Sequence, residues 1–452
     1  MMKPQSLITR SFAGFFLLSR WRFRYWSPRD IRRHQKLQRA KIVKYAIHHS
    51  PFFRQHYEDY NPDAFFTLPT VDKRLMMDNL TGYNTLKLDG DELIRFALDI
   101  EVNRDFSSRF HGINIGMSSG TSGNKGIIIT TPQEEKYLKA MYASRLVLPK
   151  GEKLNGAFIL RVNTPAFKYE RFGNKLNYVS QLQTMEQIRH RLEKINPNVI
   201  SAPPSMLKLL AREQEAGSLG LKPKSLYSYA EVLEPDVKKY LMQVFNCPVH
   251  EVYQGSEGTY AMTCRAGNLH INEDIVFLEL LDARGRPTID GQPCCHLLVT
   301  DLYKKSQPII RYAINDILTL EPGKCVCGSN FRVIRRIQGR ADDLIWGLRN
   351  TTRAKHFIYQ DYISRKIISI SAEVDDYQVI QESFSLIRIR IKLKPAADKK
   401  VIIQKIREGV VDVFRAYDCL LPEVVIEEGD PVVNENSGKL TRVISNIKNE
   451  NR

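Results

Sequence analysis

Between residues 29 and 57 apolar side chains return at mixed three-to-five spacing, with Ile31, Leu37, Ile42, Val43, Ala46 and Ile47 set among charged neighbours. That period predicts a helix, stopped by Pro51. Residues 60–110 are mixed and polar, with helical runs at 73–80 and 91–97. Residues 112–117 and the β-branched run 127–131 read as strands, and 133–148 as a helix. From there to about residue 250, helical segments at 187–194, 205–215 and 234–245 alternate with short apolar ones at 156–162, 199–202, 225–229 and 249–253. Such alternation predicts α/β architecture with parallel strands.

Residues 268–338 differ. Short strands at 275–281, 296–300, 309–312, 316–320 and 331–337 are parted by Gly, Pro and Asp, which predicts a small antiparallel β region. A further α+β unit begins near residue 339. It carries an alternating strand at 384–393 (Ile387, Ile389, Ile391), a helix at 399–417 and a strand at 423–427. No internal repeat or low-complexity tract interrupts this order.

The chain has 452 residues, 43% apolar and 26% charged, which excludes a wholly disordered, collagen-like or coiled-coil protein. No stretch approaches the ~20 uncharged apolar residues of a spanning helix. Seven cysteines, an odd number, do not read as a secreted disulfide scaffold. Of the net charge of +17, an excess of +10 lies in residues 1–60, where thirteen Lys/Arg meet three acids. Residues 1–28 form a basic, aromatic segment in which Phe12, Phe15, Phe16, Trp21, Phe23, Tyr25 and Trp26 mix with Arg10, Arg20, Arg22 and Arg24. It lacks the apolar core and cleavage site of a signal peptide. The expectation is a cytoplasmic chain. Its head either packs on the body or meets an anionic membrane surface, and the second placement is peripheral.

Candidate chemistry falls at five places. Residues 118–126 read Ser-Ser-Gly-Thr-Ser-Gly-Asn-Lys-Gly. Gly120 and Gly123 allow close backbone approach, Ser118, Ser119, Thr121 and Ser122 offer hydroxyls, and Lys125 adds charge, a set suited to a polyphosphate. This is not a Walker A loop, because it joins two strands. Residues 251–258 end an apolar strand in Tyr253 and Gln254, then present Ser256 and Glu257 on a glycine turn. Tyr253 suits a base, Ser256 a phosphate oxygen and Glu257 a Mg²⁺ ion. Arg311-Tyr-Ala-Ile-Asn-Asp316 offers a carboxylate for a ribose diol. Gly339-Arg-Ala-Asp-Asp and Asn436-Ser-Gly-Lys439-Leu-Thr-Arg442 complete the series. Against each stands the plain reading of a solvated turn.

Taken in order, the five resemble the adenylate-forming superfamily, and more closely its phenylacetate–CoA ligases and capsule-associated adenylating proteins. Pro51-Phe-Phe-Arg54 is similar to a signature of that group, and the likeness covers about residues 29–445. The resemblance implies a large ATP- and acid-binding domain at 29–339 and a small mobile domain at 340–452. It implies Mg·ATP-dependent activation of an aryl or fatty carboxylic acid to an acyl-adenylate. Transfer to a thiol, of coenzyme A or of a carrier protein, follows. By resemblance, residues 118–126 hold the β- and γ-phosphates, and Ala230-Glu231 matches the adenine turn with Ala in place of Gly. Asp316 and Arg340 hold the ribose, Asp342 is the hinge, and Lys439 bridges the substrate carboxylate and α-phosphate. Asn124-Lys125 and Gln254 depart from the family pattern. No acyl-pocket motif matches, so the acid stays unassigned.

Cys264, His270, Cys325 and Cys327 suit a Cys₃His structural zinc site, with reduced structural thiols as the alternative. Cys294, Cys295 and Cys419 read as core, and His48-His49 as a solvated helix end. Two further readings remain: an adenylyltransferase acting on a non-carboxylate acceptor, and a non-catalytic membrane-associated binding protein. Nucleic acid is not expected, because the basic excess is confined to one end and no binding motif follows it.

Overall fold

The computed structural model describes residues 11–447, apart from 104, 119–125, 149–150, 161–168, 172, 182, 232, 234, 283, 341–344, 359, 371–372, 395–397 and 433–442. Contacts divide the chain into two compact units. One comprises residues 1–90, 105–114 and 128–339, and the other 91–104, 115–127 and 340–452.

The first unit opens with helices α1 (Phe12–Tyr25), α2 (Pro28–His49), α3 (Pro51–His56), α4 (Lys73–Asp78) and α5 (Leu80–Tyr83). Ser27 and Asp30 make a capping box that starts α2. Pro51 does end α2, but as the first residue of α3, where its missing N–H costs nothing. Helix α6 (Gly90–Asn103) lies almost wholly in the second unit. Strands β1 (Asn114–Ser118) and β2 (Gly126–Thr130) flank the Ser/Gly-rich loop and form a two-stranded sheet.

Helix α7 (Pro132–Arg145) precedes a ten-stranded sheet. Its strands are β3 (Asn155–Leu160), β4 (Tyr169–Arg171), β5 (Asn174–Ser180), β6 (Val199–Ala202), β7 (Ser225–Tyr229), β8 (Val249–Gly255), β9 (Gly258–Thr263), β10 (Leu269–Ile271), β14 (Asp316–Leu320) and β15 (Val333–Arg340). They lie in the order β14-β15-β10-β9-β8-β7-β6-β3-β5-β4. The run β8-β7-β6-β3-β5 is parallel. Helices α8 (Met185–Ile195), α9 (Pro204–Glu215) and α10 (Pro235–Phe245) make its crossovers. Along β7, Leu226 enters one apolar cluster while Tyr227 and Tyr229 enter another. Alternation on a strand therefore puts a core on each face of the sheet, as parallel sheets require.

The antiparallel region is divided, where the sequence suggests one block. Only β11 (Val276–Leu281), β12 (His296–Asp301) and β13 (Tyr312–Ile314) form the separate three-stranded sheet. Strands β10, β14 and β15 instead extend the antiparallel side of the large sheet. Cys294 is buried but Cys295 is exposed, against the expectation that both are core. Neighbouring residues of extended chain face opposite ways.

Helix α1 is built into this unit. Phe15 meets the Tyr137 and Tyr303 rings at 4.8 and 5.6 Å. Ser19 donates to Asp274 (2.8 Å), and buried Arg145 pairs with Asp274 (2.7 Å) while donating to the Ser19 carbonyl (2.8 Å).

The second unit holds β16 (Ile345–Leu348), β17 (Lys355–Ile358), α11 (Gln360–Ile370), β18 (Val374–Ser383), β19 (Leu386–Leu393), α12 (Lys399–Ala416), β20 (Glu423–Glu428) and β21 (Val443–Ser445). Its four-stranded sheet runs β20-β19-β18-β21. Ile387, Ile389 and Ile391 point inward to Ile406, Val410 and Phe414 of its core cluster, as their alternation predicts. Among the described residues no helix is long and apolar enough to cross a membrane.

Candidate active site

The parallel strands β7 and β8 end side by side, and the first-described unit gathers its chemistry there. Ala230 leaves β7 at φ +67°, a left-handed conformation that a side chain resists. This explains why a glycine suits that position better. At the end of β8, Gly255 pairs with Gly258, so Ser256 and Glu257 form a two-residue hairpin turn. Gly255 is required by close approach. A Cβ there would lie 2.7 Å from both Glu257 Oε2 and the Tyr260 hydroxyl.

Two tyrosine hydrogen bonds join motifs far apart in sequence. The Tyr253 hydroxyl donates to Asp316 Oδ2 at 2.6 Å, bringing the residue suited to a base onto the carboxylate suited to a ribose. Glu257, only 8% exposed, accepts from the Tyr312 hydroxyl (3.3 Å) and the Tyr260 hydroxyl (3.4 Å). Burial and the Glu257 carboxylate both push the Tyr312 phenol well above its usual range, so it stays a donor.

Sequence reasoning missed the support of this turn. Buried Lys304 faces Glu134, Asp301 and Glu257; burial lowers its pKa and the three carboxylates oppose that. Glu134 is the far end of a capping box, Thr131-Pro-Gln-Glu134, that starts α7. Its carboxylate also accepts from the Lys305 N–H (2.7 Å), the Ser306 N–H (2.8 Å) and the Ser306 hydroxyl (2.7 Å). Burial raises its pKa, but the N–H donors of Ser306 and Thr131 outweigh it, and the group is held below the usual carboxylate range. Ser306 and Gln307 also bond the carbonyl and N–H of Ile129. The strand leaving residues 119–125 is thus pinned to the 304–307 loop. The Thr131-x-x-Glu134 spacing was the available signal.

Other expected residues are placed as follows. Ser256 is exposed at the turn tip, and Glu231 is half-buried beside Ala230. Gln254 accepts from Tyr142 at 3.5 Å, the limit of a hydrogen bond. Arg311 turns away from Asp316 and ties Glu279 (3.1 Å) and the Phe66 and Leu68 carbonyls, a structural use of the motif's arginine. Ser118 and Arg340 end β1 and β15. Ser119, Gly120, Thr121, Ser122, Gly123, Lys125, Asp342 and Lys439 lie outside the described residues.

The cysteine–histidine group converges. The ligand atoms of Cys264, His270, Cys325 and Cys327 all lie within 4.8 Å of one another. Cys264 Sγ and Cys325 Sγ are 3.8 Å apart, and Cys327 Sγ and His270 Nε2 3.4 Å. Around tetrahedral zinc with Zn–S near 2.3 Å, sulfur atoms stand about 3.8 Å apart, so the donors fit. His270 Nδ1 lies 2.9 Å from the Phe331 carbonyl, which fixes the ring with Nε2 toward the thiols. Burial holds the Cys264 and Cys327 thiols above their usual range, and the N–H groups of Ala266, Cys327 and Ser329 and the Asn268 amide, pointing at the sulfurs from 3.2–3.5 Å, oppose it. Gly267 and Gly328, at φ +83° and +89°, close the two knuckles. Phe23 of α1 sets its ring edge-on to His270 at 5.2 Å.

A parallel sheet with a tyrosine, two carboxylates and a hydroxyl turn at its carboxyl ends, with a separate α+β unit in the same chain, is similar to the adenylate-forming class of proteins, on its phenylacetate–CoA ligase-like side. No family model matches the chain. Within that class it is similar to the protein CapK of Staphylococcus aureus, 24% identical over 65% of this chain and 66% of that one. It is also similar to the phenylacetate-coenzyme A ligase of Thermus thermophilus, 24% identical over 78% and 79% of the two chains. Its fold matches a crystal structure of 2-hydroxyisobutyryl-CoA ligase in complex with 2-HIB-AMP and CoA, with a TM-score of 0.59, 16% identity and coverage of 94% and 91%.

Proposed function

We propose that this protein joins an organic carboxylic acid, aryl or fatty, to the α-phosphate of Mg·ATP and then passes the acyl group to a thiol. In the first step a carboxylate oxygen bonds to the α-phosphorus, the bond to the β-phosphate oxygen breaks, and pyrophosphate leaves. In the second, the thiolate sulfur of coenzyme A or of an acyl-carrier protein attacks the acyl carbon, and AMP leaves. The observation that carries this reading is the Tyr253–Asp316 hydrogen bond of 2.6 Å beside Glu257, at the carboxyl ends of β7 and β8. It brings the residue proposed for the base onto the carboxylate proposed for the ribose, beside the carboxyl ends of parallel strands, where open α/β sheets bind their ligands.

Each residue then has a task. Tyr253 packs near the base while its hydroxyl orients Asp316 toward the ribose. Glu231 lies at the adenine turn, and Ser256 offers its hydroxyl to the α-phosphate. Residues 118–126 take the distal phosphates, and Arg340 assists Asp316. Lys439 supplies positive charge where the pentavalent phosphorus builds negative charge. Asp342 is the pivot on which the unit bearing Lys439 turns. Glu257 would hold Mg²⁺, which when bound neutralises the transferring phosphates. The buried set of Glu134, Asp301 and Glu257 around one lysine carries excess negative charge and so favours a divalent cation there. Cys264, His270, Cys325 and Cys327 would hold a structural zinc, whose charge supplies folding energy rather than chemistry.

Hydroxylamine trapping tests the proposal. With its acid, ATP and Mg²⁺, the protein is expected to yield the acid's hydroxamate and AMP, and Lys439→Ala to lower the yield about 10²–10³-fold. Trapping at the wild-type rate by Lys439→Ala would remove that residue from the reaction. An adenylylated product with no hydroxamate would favour a non-carboxylate acceptor.

A further inference from the structure

Helix α1 has two finished faces, and only one of them faces protein. Phe15, Ser19 and Arg22 point inward and are buried. The opposite row is Leu17, Trp21 and Tyr25, at i, i+4 and i+8, which are 64%, 51% and 62% exposed. Single exposed apolar residues are ordinary, but a continuous row of one aliphatic and two aromatic side chains is not. Exposed Arg20 and Arg24 border this row at i+3 and i+7 from Leu17. The Arg24 guanidinium lies 5.5 Å from the centre of the Tyr25 ring, and the Trp21 ring meets Trp26 edge-on at 6.4 Å.

The next helix continues the pattern. On α2, Arg29, Arg33, Leu37 and Lys41 recur every fourth residue, with Arg32 and Lys36 on the adjoining row, and all six are exposed. The sole acid in α1 and α2 is Asp30, and its carboxylate is occupied by the Ser27 N–H (3.0 Å) and hydroxyl (2.6 Å) of the helix cap. Asp63 pairs with Lys44 at 3.3 Å and Asp30 lies in the field of Arg29 and Arg33, which still leaves the exposed faces of both helices with a net positive charge among the described residues.

From this charge complementarity we infer that the outer faces of α1 and α2 dock on an anionic phospholipid surface, with Leu17, Trp21 and Tyr25 entering the headgroup boundary. The chemistry suits lipid better than an acidic protein. Trp and Tyr have apolar bodies and polar tips that favour the interface, and arginines beside them pair with phosphate. An acidic protein would use the charge and leave the apolar row wet. The inward anchors hold the helix rigid in the free protein, so binding costs no folding. They also mean that α1 is part of the fold, and the face must be tested by side-chain changes rather than by removing the helix. The inference is independent of the adenylation chemistry.

Sedimentation of the full-length protein with vesicles tests it. Vesicles of equal phosphatidylglycerol and phosphatidylcholine are expected to bind it at low salt, about tenfold or more tightly than pure phosphatidylcholine. Binding should weaken sharply at 1 M salt, where screening shortens to ~3 Å. The triple variant Leu17→Ser, Trp21→Ser, Tyr25→Ser should lose about tenfold or more, and Arg20→Gln with Arg24→Gln should lose the preference for anionic lipid. All five side chains are exposed, so unfolding temperature should hold in both variants and confirm that the face, not the fold, was changed. Tryptophan emission should shift to the blue on binding, and Trp21→Phe should remove most of that shift. No binding of the wild type to anionic vesicles, or wild-type binding by the triple variant, would overturn the inference. So would capture of an acidic carrier protein by this face with no vesicle binding.

Discussion

At the residue scale the decisive contact is the buried Glu257 carboxylate between two tyrosine hydroxyls. Glu257→Gln keeps the shape and one accepting oxygen, with the other hydroxyl turning to accept from the amide nitrogen, and removes the charge that would hold Mg²⁺. Turnover is expected to fall about 10²-fold or more, with a higher Mg²⁺ concentration at half-maximal rate. An unchanged Mg²⁺ titration would move the metal ligand elsewhere. Ala230 provides a test of opposite sign. At φ +67° its side chain is strained, so Ala230→Gly is expected to stabilise the protein by about 0.5–1 kcal/mol while sparing activity. A lower urea midpoint for the glycine variant would contradict this. The turn carrying Glu257 was legible in sequence, because its two glycines sit at the end of an apolar strand. Its partners were not. Tyr312 stands 55 residues from Glu257 and Asp316 stands 63 from Tyr253, and a hydrogen bond across such separations leaves no local period to read.

At the scale of elements, most helices and four of the five parallel strands lay within a few residues of their expected places, while strand β5 (Asn174–Ser180) and helix α11 (Gln360–Ile370) were not read from the sequence; the alternating isoleucines of β19 pointed inward as expected. Strand partnership did not follow, since β10, β14 and β15 join the large sheet by non-local register. Strand β18, which pairs along nearly all of β19, carries mixed polar residues and gave little signal. The cysteine knuckles offer one element-scale prediction. Protein made with zinc supplied is expected to contain about one zinc per chain. Cys327→Ser should lose the metal and unfold at lower temperature, because binding energy at such a site is folding energy. Elemental analysis finding no zinc would leave the four residues as reduced thiols and a histidine.

A second prediction lies in β8. His250 is buried under the Tyr227 ring at 4.9 Å, and neither ring nitrogen has a hydrogen-bond partner among the described residues. Burial holds its pKa down to about 4, and burial likewise holds His34 at about 4. Both stay neutral in the folded protein, so the unfolded chain binds more protons below its own value near 6.5. Stability is therefore complete above that pH and is lost as pH falls toward 4, by up to ~3 kcal/mol for each histidine. Burial holds His270 at about 4 as well, so His250→Phe should remove roughly a third of the decline in unfolding temperature between pH 6.5 and 4. An unaltered decline would place the acid sensitivity in other groups.

At the scale of the whole molecule, two units with separate cores share one chain. Tyr253, Glu257 and Asp316 fall in the first, and residues 340–452 in the second. The net charge is equally uneven, concentrated in the first two helices, whose inner faces are locked into the first unit and whose outer faces are basic and apolar. The central claim concerns the chemistry of activating an acid, and ATP–pyrophosphate exchange measures that step directly, without the thiol acceptor. With aryl, fatty and amino acids offered in turn, the account predicts Mg²⁺-dependent return of labelled pyrophosphate into ATP for a narrow group of aryl or fatty acids, and none without acid. Exchange that is absent with every acid, or that proceeds equally without any, would contradict it.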